Sequence, residues 1–191
     1  MSEERDGFYV FPERAKTKLR KAYMEKQPVY IYGMVGYGKT ALVEHFLGKK
    51  KYLYFDAASF PLACLEALHT QSILVVDNLQ FLEDEFVKDR LLELIRQSEL
   101  WLIFISRSKC PGWLISAYLK YRNFCTITET DLELSEEEIR SYLKGRGIEE
   151  YGPNDVRFVQ SYCRGHGLAI RLLCDQALIE GRPVKGQDVF D

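Results

Sequence analysis

Residues 33–40 read GMVGYGKT, a glycine-rich run that closes with a lysine and a threonine. The spacing is G-x-x-x-x-G-K-[ST], in which a tight turn aims backbone N–H groups inward at anionic oxygens. In such a loop Lys39 places an ammonium charge against the β and γ phosphates of a nucleotide, and Thr40 offers a hydroxyl to Mg²⁺. A glycine-rich turn that binds nothing is the alternative. We expect a nucleoside triphosphate with Mg²⁺ to contact Gly33, Val35, Gly36, Tyr37, Gly38, Lys39, Thr40 and Ala41.

A second candidate site, which carries an acidic residue, follows an apolar run. Residues 73–78 read ILVVDN, so Asp77 comes directly after four apolar residues. Because the carboxyl ends of parallel strands share one edge of a sheet, we expect Asp77 to lie near Thr40 and to hold Mg²⁺, directly or through water. A solvated Asp that caps the next turn is the alternative. Asn78 occupies the next position, where an amide can orient a water but cannot take its proton, so we expect slow hydrolysis.

Two further residues are candidates for contact with the phosphates. Arg107 follows the apolar run at 101–105 and could hydrogen-bond the γ phosphate, or lie in solvent as an ordinary loop arginine. His166 stands between Gly165 and Gly167 and could touch a phosphate in a closed state, or be an exposed loop histidine. The predicted catalytic group is therefore Lys39, Asp77, Asn78 and Arg107.

The elements that must position these residues alternate between strands and helices. Such alternation is typical of a parallel sheet covered on both faces. The sequence lacks an N/T-K-x-D motif, which reads guanine in other nucleotide-binding proteins, and this absence favours ATP over GTP. Predicted strands are 29–32, 52–55, 73–76, 101–105 and 124–127, and predicted helices are 14–25, 41–47, 62–68 and 84–98.

The pattern changes to helices alone after residue 130. Ser135 and Glu138 form a capping box at the start of a helix over 135–144. Two more helices are predicted over 154–163 and 167–180, whereas 111–113, Pro-Gly-Trp, is typical of a loop. We expect an α/β nucleotide-binding core over 1–130 and a small helical lid subdomain over 131–191.

Composition excludes several classes of protein. The 191 residues are 47% hydrophobic and 28% charged, with a net charge of −2, which is ordinary for a globular domain and gives no broad basic surface for nucleic acid. No apolar run approaches the ~20 residues of a membrane span, and the first residues, MSEERDGFYV, include no apolar signal-peptide segment. The five cysteines are scattered, without C-x-x-C pairs. We expect reduced thiols in a cytoplasmic protein.

These motifs, in this order and with a helical segment behind them, resemble the STAND class of signalling ATPases. The similarity is greatest to the nucleotide-binding module of large LuxR-type, maltose-activator-like bacterial transcription regulators. It covers most of the chain, through Pro12-Glu13-Arg14, GYGKTAL, YFDAASF, VVDN, FISRS, LELSEEEI and GHGLAIRLL. Two positions differ: Asn78 stands where that family often has Asp, and Gly167 stands where its lid usually has the proline of a G-x-P turn.

The resemblance implies a P-loop NTPase three-layer sandwich with strand order 5-1-4-3-2 and a helical lid over the nucleotide. It implies that ADP maintains a resting form, and that ATP with an inducer permits self-association. DNA binding would then belong to a separate C-terminal domain that is not in this chain. The same resemblance places Phe11 of the leading segment against the adenine, with a purely structural core contact equally open.

Two other functions stay open. A small-molecule or nucleoside kinase is compatible with the length, and an assay of phosphoryl transfer to nucleosides and metabolites would distinguish it. An AAA-like DNA-processing ATPase would show hydrolysis stimulated by DNA, although the charge balance disfavours it.

Overall fold

The computed structural model describes residues 8–59, 72–96, 100–121, 123–181 and 184. Within them lies a five-stranded, all-parallel sheet in the order β2-β3-β4-β1-β5, which read from the other edge is 5-1-4-3-2. The predicted α/β class with a parallel sheet is therefore confirmed. The strands are β1 Val29–Tyr32, β2 Leu53–Asp56, β3 Ile73–Asp77, β4 Trp101–Ser106 and β5 Cys125–Ile127.

Helices flank the sheet and extend beyond it. The described residues hold α1 Glu13–Met24, α2 Lys39–Leu47, α3 Glu85–Arg96, α4 Gly112–Tyr121, α5 Glu129–Leu132, α6 Glu136–Gly145, α7 Pro153–Cys163 and α8 Gly167–Glu180. A 3-10 turn, Leu79–Phe81, follows β3.

Alternation along the strands divides the core between two faces. Leu74 and Phe104 belong to one buried cluster, which α3 and α4 cover, whereas Val75 and Ile103 belong to a second cluster, which α1 and α2 cover. Successive side chains of a strand point to opposite faces, so strands buried on both sides are mostly apolar. Every residue of β3 and β4 is buried, and each strand is apolar up to its last residue, Asp77 in β3 and Ser106 in β4.

The helical segment has an apolar cluster of its own. Ile139 of α6, Val156 and Val159 of α7 and Ile170 of α8 are all fully buried in a third cluster. The predicted capping box is present, because the Ser135 N–H donates to Glu138 Oε2 at 2.8 Å and the Glu138 N–H to Ser135 Oγ at 3.4 Å. The division of the chain near residue 130 stays a prediction, and this separate cluster supports it.

Two local predictions are corrected, and others lie outside the described residues. The expected loop at 111–113 is the start of α4, where the N–H groups of Leu114 and Ile115 bond the Pro111 carbonyl. Proline and glycine are compatible with a helix start as well as with a loop, which explains the error. The unpredicted α5 begins after its N-cap residue Thr128, whose N–H donates to the carboxylate of Asp131 in the first turn. The predicted helix 62–68 and the predicted end of α3 at 97–98 lie outside the described residues.

No helix within the described ranges combines the length and the apolar character that crossing a bilayer requires.

Candidate functional site

The glycine-rich run, Gly33–Thr40, forms a loop between the end of β1 and the start of α2, and we call it the phosphate loop. Gly36 and Gly38 have φ angles of +93° and +73°, which residues with a side chain rarely adopt. No amide N–H from Gly38 to Ala41 has a hydrogen-bond acceptor in the part of the chain that the structure describes. These donors, at a helix N-terminus, constitute a site for an anion.

Lys39 is held inside this loop. Its Nζ donates to the carbonyl oxygens of Gly33 at 2.5 Å and Met34 at 2.8 Å, and the residue is only 8% exposed. Burial lowers the pKa of the ammonium, and the nearby charge of Asp77 opposes that shift. An ammonium has three donors, so one stays available for a phosphate oxygen of a nucleotide.

Asp77 and Thr40 lie together as the sequence predicts for a Mg²⁺ site. The Thr40 hydroxyl donates to Asp77 Oδ2 at 2.6 Å, and the Tyr54 hydroxyl donates to the same oxygen at 2.9 Å. The Asn78 N–H donates to Asp77 Oδ1 at 2.6 Å. A carboxylate and a hydroxyl oxygen are the donors that Mg²⁺ prefers, so the residues present fit this ion. Burial and the hydrogen bond to Asp77 raise the pKa of Tyr54, which stays a donor at neutral pH.

The outer side of the phosphate loop contacts the turn that precedes α8. The Leu168 N–H donates to the Gly36 carbonyl at 3.0 Å. His166 Nδ1 accepts the Ala169 N–H, so Nε2 carries the proton and donates to the Val35 carbonyl at 2.8 Å. The loop and the helical segment are therefore joined by two direct hydrogen bonds.

Glu129 contacts the phosphate loop from another element. Its Oε1 accepts the Met34 N–H at 2.8 Å, and a Cβ at Gly33 would lie 2.8 Å from its Cγ. The absence of a side chain at Gly33 thus lets the phosphate loop approach Glu129 in the first turn of α5. This contact restrains the start of the phosphate loop.

A cavity of about 470 Å³ opens over the loop, a volume within the usual range of small-molecule sites. Its lining includes residues 35–41 of the phosphate loop with Asp77, Asn78, Ser106 and Arg107. Apolar and aromatic residues also line it, from Phe8–Pro12 and from Leu132, Leu134 and Tyr142, together with Arg146 and Arg171 of the helical segment. The lining therefore combines polar and cationic groups with apolar and aromatic ones, which suits the phosphates and the base of a nucleotide.

The structure brings most of the predicted residues to this cavity. Those that line it are Val35, Gly36, Tyr37, Gly38, Lys39, Thr40, Ala41, Phe11, Asp77, Asn78 and Arg107. Phe11 also stacks on His45, with ring centroids 4.7 Å apart, and the Arg107 guanidinium lies over the Phe81 ring. Gly33 and His166 are outside the lining, because both face neighbouring protein groups. Their roles toward a nucleotide stay predictions.

Three contacting residues were not predicted from the sequence. Tyr54 bonds Asp77, Glu129 bonds the phosphate loop, and Gln80 accepts the Arg107 N–H at 3.0 Å. Tyr54 lies two residues before Asp56 on β2, and strand pairing places this strand beside β3. That pairing is the signal that could have identified it, whereas no pattern in the sequence points to Glu129 or Gln80.

We expect His166→Ala to loosen the contact between the helical segment and the phosphate loop. The substitution removes the cap of α8 and the bond to Val35, and loss of a cap and a hydrogen bond costs about 1–2 kcal/mol of unfolding free energy. Amide hydrogen exchange should accelerate at Leu168, whose N–H bonds Gly36. The control His166→Asn keeps a capping side chain, so it should be more stable than His166→Ala. It lacks the bond to Val35, so amide exchange at Leu168 should stay faster than in wild type. Unchanged exchange in His166→Ala would contradict this role.

Comparison with known proteins gives a fold and no closer relationship. No family model and no curated protein matches the sequence. Among solved structures, a RuvB variant from Thermotoga maritima is similar with a TM-score of 0.61 and 15% identity, over 91% of this chain and 64% of that chain. A Walker-type ATPase of Pyrococcus abyssi has a TM-score of 0.60 and 15% identity, over 88% of this chain and 67% of that chain.

A third similar structure is a STAND protein with a tetratricopeptide repeat sensor from Pyrococcus horikoshii. Its TM-score is 0.63 at 15% identity, over 88% of this chain and 30% of that chain. The chain thus spans under two thirds of the RuvB variant and under one third of the STAND protein. At such low identity these similarities establish architecture alone: the chain has the α/β fold of the P-loop ATPases.

Proposed function

We propose that this chain is the ATP- and ADP-binding switch module of a signalling ATPase, in which the bound nucleotide controls the position of a helical lid, α6 to α8. One observation carries the proposal. The loop suited to phosphates is also the loop to which the lid is hydrogen-bonded, through Leu168 to Gly36 and through His166 to Val35. A shift of this loop on phosphate binding would change both lid contacts.

The geometry supports a role for each group of residues in this proposal. The N–H groups of Gly38 to Ala41 and the Lys39 ammonium hold the phosphates, and Thr40 with Asp77 holds Mg²⁺, which neutralises phosphate charge. Arg107, which also lines the cavity, contacts the γ phosphate and distinguishes ATP from ADP. Phe11 and the apolar residues that line the cavity take the base.

Slow hydrolysis is part of the proposal. Asn78 lines the cavity in the position after Asp77, and its amide can orient a water without accepting a proton. A nucleotide that stays bound for long is what a switch requires, because each nucleotide state must persist long enough to be read by partners.

The regulatory context is proposed from resemblance. The order of motifs is similar to that of LuxR-type regulators, and one structure of the same fold is a STAND protein with a repeat sensor. We propose that ATP permits self-association of the module in the cytoplasm, and that DNA is bound through another domain. Transcription regulation would then be the output of the switch.

Thermal unfolding with and without nucleotide tests the proposal. A ligand at about 100 times its dissociation constant adds about 2.7 kcal/mol to the free energy of unfolding, so MgATP and MgADP should both raise Tm. MgGTP should raise it less. Analytical ultracentrifugation should show larger species with MgATP than with MgADP. Equal sedimentation in both would contradict the switch, and no rise in Tm with any nucleotide would contradict nucleotide binding.

A further inference from the structure

A row of polar side chains crosses the carboxyl ends of three adjacent strands. Asn78 Nδ2 donates to Asp56 Oδ1 at 3.0 Å, and Gln80 Nε2 lies 3.4 Å from Asn78 Oδ1. At the other end, Gln80 Oε1 accepts the Arg107 N–H at 3.0 Å and the Ser106 hydroxyl at 3.1 Å. We call these five residues the amide row. It runs from the end of β2, past the residues after β3, to the end of β4.

The outer partners determine how both amides are oriented. An ionised carboxylate only accepts hydrogen bonds, so Asp56 must face the NH₂ group of Asn78. A backbone N–H only donates, so that of Arg107 must face the carbonyl oxygen of Gln80. The inner atoms, Asn78 Oδ1 and Gln80 Nε2, then meet as acceptor and donor. Asn78 therefore lines the cavity with its nitrogen committed to Asp56.

The carboxylate of the amide row lies outside the cavity. Strand pairing sets Asp56 beside Asp77, at the end of the neighbouring strand. Its Oδ1 also accepts the Ala58 N–H at 2.9 Å, and Asp56 is not among the residues that line the cavity. Asp56, the acid of this row, thus lies one strand away from Asp77 and outside the cavity in which a water would attack the nucleotide.

We propose that Asp56 is a positioning residue for nucleotide hydrolysis, and that its pairing with Asn78 sets the slow rate. The inference rests on the proposed function. In hydrolysis the water oxygen bonds to the γ phosphorus, the bond from that phosphorus to the bridging oxygen breaks to leave ADP, and the water loses a proton. Asp56 holds the Asn78 amide so that Oδ1 can accept a hydrogen bond from this water. The proton passes to phosphate or solvent, since an amide cannot take it.

An exchange of the two side chains tests this inference. Asn78→Asp alone sets two carboxylates about 3.0 Å apart, where like charges keep one of them protonated. The double variant Asp56→Asn/Asn78→Asp restores a donor opposite an acceptor and moves the charge into the cavity. The residue whose N–H loses its acceptor on Asp56, Ala58, is exposed, so that N–H can bond water instead.

We expect phosphate release from MgATP to be at least about tenfold faster in the double variant than in wild type, because a positioned base typically contributes 10²–10⁴-fold. It should also be faster than in Asn78→Asp alone. Asp56→Ala should lower kcat with an unchanged KM.

The control Asp89→Asn removes the same charge from an exposed position of α3 and should leave kcat unchanged. A double variant no faster than Asn78→Asp, or an unchanged kcat in Asp56→Ala, would overturn the inference while the MgATP-dependent rise in Tm upholds nucleotide binding. A wild-type protein whose Tm does not respond to MgATP would overturn the proposed function itself.

Discussion

Lys39→Ala is expected to lose at least about half of the rise in Tm that MgATP and MgADP produce in the wild-type protein. The ammonium lies in the phosphate loop with one donor available for phosphate, and hydrogen bonds to charged groups contribute about 1.5–3 kcal/mol each. A loss of this size reduces affinity by roughly 10- to 150-fold, so nucleotide at about 100 times the wild-type dissociation constant would stabilise the variant by only about 0.3–1.4 kcal/mol instead of about 2.7 kcal/mol.

The measurement is the difference in Tm with and without nucleotide, not the Tm alone. Lys39 also bonds the carbonyls of Gly33 and Met34, so its removal changes the stability of the free protein as well. Lys49→Ala, in the exposed turn after α2, is the matched control and should keep the full shift. A wild-type shift in Lys39→Ala would refute the assignment of the loop to phosphates.

The strands were predictable because burial on both faces leaves a strong pattern. The apolar runs 73–76 and 101–105 match β3 and β4 to within one residue, since a strand between two helical layers is apolar until it reaches the edge of the sheet. The helix α4 was not predictable in the same way. Pro111 and Gly112 precede it, and such residues open helices as readily as they form loops.

The candidate site was likewise predictable only in part. A motif of consecutive residues, such as the phosphate loop, carries its local geometry in its own sequence. Contacts between distant segments depend on register: Tyr54 meets Asp77 only because β2 pairs with β3 so that Asp56 lies beside Asp77. The orientation of the Asn78 amide likewise depends on Asp56, 22 residues earlier. Such pairings depend on which strands are neighbours in the sheet and on their register, which local sequence patterns do not predict.

Gly36→Ala is expected to destabilise the protein more than Gly38→Ala and to displace the lid. Both glycines have positive φ, so each substitution carries a backbone cost of about 1–2 kcal/mol. Only at Gly36 would the added Cβ collide, at 2.5 Å from His166 Cε1 and 2.8 Å from Leu168 Cβ, whereas Gly38 has no such neighbour within 4 Å. Overpacking of this kind costs about 1–3 kcal/mol more.

Urea unfolding without nucleotide measures this difference, because a side chain at Gly38 would also approach the phosphates. Amide exchange at Leu168 should accelerate in Gly36→Ala and stay at the wild-type rate in Gly38→Ala, since the Leu168 N–H bonds Gly36. Equal losses of stability with equal exchange would mean that the lid does not rest on the phosphate loop in solution. A selective effect would show that the backbone at Gly36 is the place where the lid rests on the phosphate loop, because α8 can approach there only in the absence of a side chain.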